Sequence, residues 1–159
     1  IEGDLSTALD ADRIAAQGVP VIQINTQGGC HLDAKMIDKV LPDLNLSEVD
    51  MLFIENVGNL VCPAAFDLGE DFKTVVLSVT EGADKPMKYP PIFLAAKAVI
   101  INKIDLLPYC DADIIKMKND ILDINPDIKI FEISCRLKEG LDAWVDWLLD
   151  KVRETKVRA

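Results

Sequence analysis

Three short runs hold side chains that can do chemistry, and each closes an apolar stretch. Asn102-Lys103-Ile104-Asp105 follows the largely β-branched residues 98–101. A fixed carboxylate at Asp105 can accept from two N–H groups side by side, as guanine presents at N1 and N2. Adenine presents neither, and a desolvated acceptor left unpaired costs about 1–3 kcal/mol, more when charged. The Asn102 amide can hold the loop or reach the ring N7, and the Lys103 stem can lie on the flat purine. Glu55-Asn56-Val57-Gly58 follows residues 51–54. An acidic strand tip there can sense Mg²⁺ through water, and Gly58 lets a backbone N–H approach a terminal phosphate. Ser134-Cys135-Arg136 follows residues 128–133. Taken singly, each run also reads as a plain polar turn after a strand.

Such runs need strands to carry them. Residues 21–26, 51–55, 74–80, 98–102 and 128–134 are predicted strands, most of them nearly continuous in Val, Ile, Leu and Phe. That pattern suits parallel strands covered on both faces. Helices are predicted over 31–41, 112–122 and 139–153. Their one-sided apolar faces carry Leu32, Met36 and Val40; Ile114, Ile115, Ile121 and Leu122; and Leu141, Trp144, Val145, Leu148, Leu149 and Val152. Pro42 and Pro126 stand just past helical stretches, as stops. Alternating strands and helices predict an α/β fold with a doubly wound, mainly parallel sheet and helices on both faces. Ligands then belong at the carboxyl ends of the strands, among Asn25, Glu55, Asn56, Thr80, Asn102, Lys103 and Ser134.

At 159 residues the chain is expected to be a single domain over 1–159. A net charge of −10 argues against nucleic acid or an anionic membrane as the main partner. It still allows a phosphate held by one loop of backbone N–H groups. No apolar stretch nears the roughly 18–20 residues of a membrane span. Four Cys and one His lie scattered with no C-x-x-C pair, so a reducing, cytoplasmic setting is expected.

Asn-Lys-x-Asp after a buried strand resembles the base-recognition element of GTP-binding proteins. Glu55 to Gly58 resembles their D-x-x-G switch, with Glu in place of Asp. Ser134-Cys135 resembles the loop that closes over guanine by backbone N–H bonds, usually with Ser-Ala there. The order and rough spacing are those of a GTPase, and the joint occurrence is far more specific than any one run.

The resemblance widens to nearly the whole chain. Glu2-Gly3-Asp4, Gly29-Cys30-His31-Leu32-Asp33-Ala34, the run from Phe53 to Pro63, Leu77-Ser78-Val79-Thr80-Glu81-Gly82 and Lys85-Pro86 join Asn102 to Asp105 in resembling the HypB family. These are hydrogenase-maturation GTPases, relatives of the urease accessory GTPases. The resemblance implies a P-loop GTPase-like fold and GTP hydrolysis by a homodimer. It also implies help in delivering nickel to the large subunit of nickel–iron hydrogenase, beside other maturation proteins. It assigns Asp4 to the switch carboxylate near Mg²⁺, Glu55 to a second acidic group near it, and Gly58 to the phosphate. Asn102, Lys103, Asp105, Ser134 and Cys135 are assigned to GTP. Cys30, His31 and Cys62 match the family's metal-binding positions. Thiolate and imidazole suit Ni²⁺ and Zn²⁺. Cys30 also precedes a predicted helix, whose N-terminus would lower its thiol pKa. On chemistry alone the three residues fit ordinary structural roles as well.

Two departures shape the expectation. Many relatives carry a second His four residues after the first, and here that position is Lys35, which as a cation is no ligand. No G-x-x-x-x-G-K-S/T phosphate loop occurs in the 159 residues; in the family it precedes the strand that ends at Glu2-Gly3-Asp4. The chain is thus expected to be N-terminally truncated, without the first strand and phosphate loop. It is expected to be impaired in hydrolysis, because triphosphate binding loses its main electrostatic cradle. Two other functions fit the same residues. One is a GTPase metallochaperone for urease or another metalloenzyme, and the other a non-catalytic metal-binding and dimerisation module.

Overall fold

The computed structural model describes residues 1–4 and 9–158. The architecture is α/β, with strands paired in parallel and helices in the connections. The chain forms two compact units, Ile1–Glu70 and Asp71–Ala159.

In the first unit β1 (Glu2–Asp4) pairs in parallel with β2 (Gln23–Asn25), Gly3 opposite Ile24. The crossover between them holds α1 (Leu9–Ala15), and α2 (Ala34–Val40) follows β2. The helix starts at Ala34 rather than at His31. Asp33, extended at φ −118° and ψ 164°, turns its carboxylate onto the Met36 N–H at 2.9 Å. Such an Asp N-cap contributes about 1 kcal/mol.

The strand predicted over 51–55 does not form. Glu55 alone bridges Glu2, with Gly3 N–H donating to Glu55 O and Glu55 N–H to Ile1 O, both at 2.9 Å. Beside this segment β1 pairs only around Glu2, so residues 51–54 have little ladder to join, and Phe53 is 59% exposed. Apolar composition marks a run as strand-like, but the neighbour decides the pairing.

In the second unit β3 (Lys73–Ser78), β4 (Ala96–Asn102) and β5 (Lys129–Glu132) form a parallel sheet in that order. Central β4 buries Ala98, Val99, Ile100 and Ile101 in succession, so both its faces are covered, as its continuous apolar run predicts. β3 alternates instead: Val75 and Leu77 are buried while Val76 is 59% exposed. The link from β3 to β4 carries α3 (Lys85–Lys88) and α4 (Pro90–Ala95). Periodicity misses both because each is too short to show a repeat. Their prolines occupy first turns, where a missing N–H has no helical partner to lose.

α5 (Ile114–Ile124) follows β4, capped by Asp113 onto the Lys116 N–H at 2.9 Å. Its Met117 and Ile121, one turn apart, are wholly buried. Burial of each such side chain contributes roughly 1.5–3 kcal/mol. α6 (Leu141–Arg158) packs Trp144 and Trp147 on Phe131, ring centroids 5.2 and 5.7 Å apart. Lys118 of α5 pairs with Glu132, the next residue of β5, at 2.5 Å. Successive strand residues point to opposite faces, so α5 and α6 cover opposite faces of β5. This sheet is doubly wound, and the two tryptophans are packing residues.

Candidate functional site

In the second unit, β4 delivers Asn102 at its carboxyl end. Lys103 turns the chain in the left-handed region, φ 63° and ψ 35°, and a 3-10 turn over Ile104–Tyr109 carries Asp105. Asn102 Oδ1 accepts from the Lys103 N–H at 2.7 Å and from the Cys135 N–H at 3.2 Å. One amide therefore ties the loop after β4 to the loop after β5. Asp105 Oδ1 accepts from the Ser134 hydroxyl at 2.6 Å. Ser134 is itself immobilised. It is fully buried, its N–H and C=O pair with Glu139 at 3.0 and 3.2 Å, and its Oγ accepts from the Leu137 N–H at 3.1 Å. Asn102, Asp105, Ser134 and Cys135 thus come together, while Lys103 is exposed. The Ser134 and Cys135 N–H groups, expected as donors to a base, already have partners within the unit. The Ser134 hydroxyl, not singled out from sequence, is what orients Asp105.

In the first unit, Thr26-Gln27-Gly28-Gly29 forms a tight turn. Gln27 and Gly28 lie at φ 51° and 91°, and the Gly29 N–H donates to Thr26 O at 3.0 Å. The turn delivers Cys30, whose Sγ lies 2.7 Å from Cys62 Sγ and 3.5 Å from His31 Nδ1. The three ligand atoms all lie within 4.8 Å of one another. His31 stacks on Phe66, centroids 3.6 Å apart and planes 19° apart, which limits how the imidazole can turn. Both thiols are free, and contact with Cys30 holds the Cys62 thiol above its ordinary pKa of 9.0. Cys30 does not sit at a helix start, since α2 begins at Ala34. Lys35, in the first turn of α2, is exposed and outside the cluster.

Two asparagines that the sequence reading did not assign support this cluster. Asn56 Oδ1 accepts from Leu32 N–H at 2.8 Å and Val57 N–H at 2.9 Å. Asn59 contacts the backbone of both the Cys30 and the Cys62 loops. The available signal was the Asn-x-x-Cys spacing: an Asx side chain readily accepts from N–H groups two and three residues on. Leu32, fully buried, fills the space left by the absent side chain of Gly3, where an added Cβ would come within 2.6 Å of Leu32 Cδ1.

Acidic groups gather at the end of β1 around Asp4 and Glu55. Glu2 is 4% exposed, and among the described residues its Oε2 has no hydrogen-bond partner. Burial raises its pKa above the ordinary 4.5, with Asp4, Glu55 and Asp10 adding to the effect. Glu55 is raised likewise, by desolvation and then by Asp10 and Asp4. A carboxyl raised in the fold holds its proton more tightly folded than unfolded. Its stabilising contribution is therefore complete below the unfolded value and is lost as pH climbs through the folded one. Glu2→Gln is accordingly expected to stabilise the protein at pH 7 by about 1 kcal/mol, a gain that shrinks as pH falls through the raised folded value and is gone below pH 4.5. Chemical denaturation at pH 7 and pH 4 checks this; a loss of stability at pH 7 would contradict it.

Fold and loops together define an α/β domain of nucleotide-binding type. The family model described as CobW/HypB/UreG, nucleotide-binding domain, matches residues 1–132. The hydrogenase maturation factor HypB of Escherichia coli (strain K12) is 56% identical over 148 residues, covering 93% of this chain and 51% of that protein. The probable hydrogenase maturation factor HypB of Methanocaldococcus jannaschii is 47% identical over 156 residues, covering 98% and 71%. The crystal structure of HypB from Helicobacter pylori in complex with nickel matches with a TM-score of 0.90 at 42% identity, covering 97% of this chain and 74% of that one. The chain belongs to the CobW/HypB/UreG family, in its HypB branch. It spans about half the length of the Escherichia coli relative.

Proposed function

We propose that this chain belongs to a GTP-binding, GTP-hydrolysing metallochaperone that handles nickel for insertion into nickel–iron hydrogenase. The observation that carries the reading is the cluster of Cys30, His31 and Cys62 on loops adjoining Glu55 and Gly58. Two sulfurs and one imidazole nitrogen suit Ni²⁺ or Zn²⁺. Cys30 is exposed and the other two are half-buried, which suits a cargo that must leave again. One chain supplies three ligands. A two-fold homodimer would bring two such sets together and let a Cys62 be shared.

GTP is the substrate in this reading. Asp105, oriented by Ser134, accepts from the guanine edge, with Asn102, Lys103 and Cys135 shaping the base site. Asp4 and Glu55 are the residues that would hold Mg²⁺, and the crowding of carboxylates around them fits a divalent cation. The ion would neutralise charge on the phosphates. Gly58 is the residue whose backbone N–H would approach a terminal phosphate, and an added Cβ there meets nothing within 4 Å.

Nickel calorimetry on the wild type, Cys30→Ala, His31→Ala and Cys62→Ala tests the metal assignment. The wild type is expected to take no more than about one Ni²⁺ per chain, and each Cys variant to bind at least about tenfold more weakly. Wild-type affinity in both Cys variants would remove the site.

A further inference from the structure

Cys30 and Cys62 are 32 residues apart in sequence, on loops that leave different elements, yet their sulfurs are 2.7 Å apart without a disulfide. One side chain touches both loops. Asn59 Nδ2 donates to the Cys30 carbonyl at 2.5 Å. Its Oδ1 accepts from the Val61 N–H at 3.0 Å and the Cys62 N–H at 2.9 Å. We infer that Asn59 is the positioning residue of the thiol pair, the group that sets the gap between Cys30 and Cys62. Its functional weight rests on the metal reading above; its geometry does not.

The chemistry leaves little choice of residue. A carboxamide donates at one end and accepts at the other, and this site uses both ends. Asp would keep the acceptor for the Cys62 loop but set an anion against the Cys30 carbonyl oxygen. Ala would do neither. All three bonds go to backbone groups, so Asn59 takes no lone pair from either sulfur. Asn56 pins the Leu32 backbone, just past His31, from the same loop, so the cluster is steered from residues 56 and 59 together. Groups that orient metal ligands typically alter affinity 10–100-fold when removed.

The test uses the chain as it is, in three forms: wild type, Asn59→Ala and Asn59→Asp. Each is titrated with Ni²⁺ and, separately, with phenylarsine oxide, which bridges two neighbouring thiols with loss of water. Thermal unfolding is followed by circular dichroism. Asn59→Ala is expected to bind Ni²⁺ about 10–100-fold more weakly and to capture the arsenical more slowly. Asn59→Asp should fall between it and the wild type, because the Cys62 arm persists. If Asn59→Ala does not fold, Asn59→Asp decides alone. A lower melting temperature with both probes bound as in the wild type would mean a merely structural role and would overturn the inference. Arsenical capture without nickel binding in the wild type would defeat the nickel reading instead, and the arsenical comparison would then judge Asn59.

Discussion

Replacing Asp105 with Asn is expected to move nucleotide preference from guanine towards xanthine. The Ser134 hydroxyl donates to Asp105 Oδ1. An Asn in the same pose keeps that bond through its carbonyl oxygen and turns its NH₂ towards the base. Guanine then meets a donor with its own N2 donor and loses a charged acceptor, whereas xanthine presents a carbonyl there. Hydrogen bonds to charged groups contribute about 1.5–3 kcal/mol, so the ratio of affinities should swing by roughly tenfold to a hundredfold. Competition between GDP and xanthosine diphosphate measures it. An unchanged ratio would strip Asp105 of its role.

Gly140→Ala is expected to cost about 3 kcal/mol of stability, although Gly140 touches no proposed ligand. Gly140 lies at φ 70°, just before α6, and an added Cβ would press into the Glu132 carbonyl oxygen. The left-handed region alone costs a residue with a side chain roughly 1–2 kcal/mol. A clash with backbone that has no rotamer to escape into adds to it. In a domain of this size the melting temperature should fall by about 6–12 °C. Because Gly140 follows the Ser134–Glu139 bridge, the variant should also weaken selection for guanine over adenine as Ser134 loses its hold on Asp105. A melting temperature within a degree of wild type would refute the expected strain.

The loop proposed to read the base was legible because its residues sit at the ends of long apolar runs, where strand pairing leaves no freedom in the exit point. Asn102 follows four buried residues of β4, and Ser134 follows β5 almost directly. The proposed metal ligands were legible by type and resemblance, but not their setting. Apolar spacing carried the predicted helix back to His31, whereas the Asp33 cap ends it at Ala34, so Cys30 belongs to a turn. Residues 51–55 look like a strand by composition, and only their neighbour could show that one bridge forms. Asn59 was half legible: its spacing from Cys62 marks the local bond, but nothing in its immediate sequence context reveals a partner 29 residues away.

The path from Glu55 to Cys62 also acts as a ruler. Gly58 stands beside Asn59, so the stretch proposed to approach a phosphate is the stretch that holds the thiols together. Most surface loops tolerate added or lost residues. Here a single insertion on one side of the Gly58-Asn59 pair would carry Gly58 away from Glu55, and on the other side Asn59 away from Cys62. Length, rather than residue type alone, would then link the proposed phosphate contact to the proposed grip on a metal.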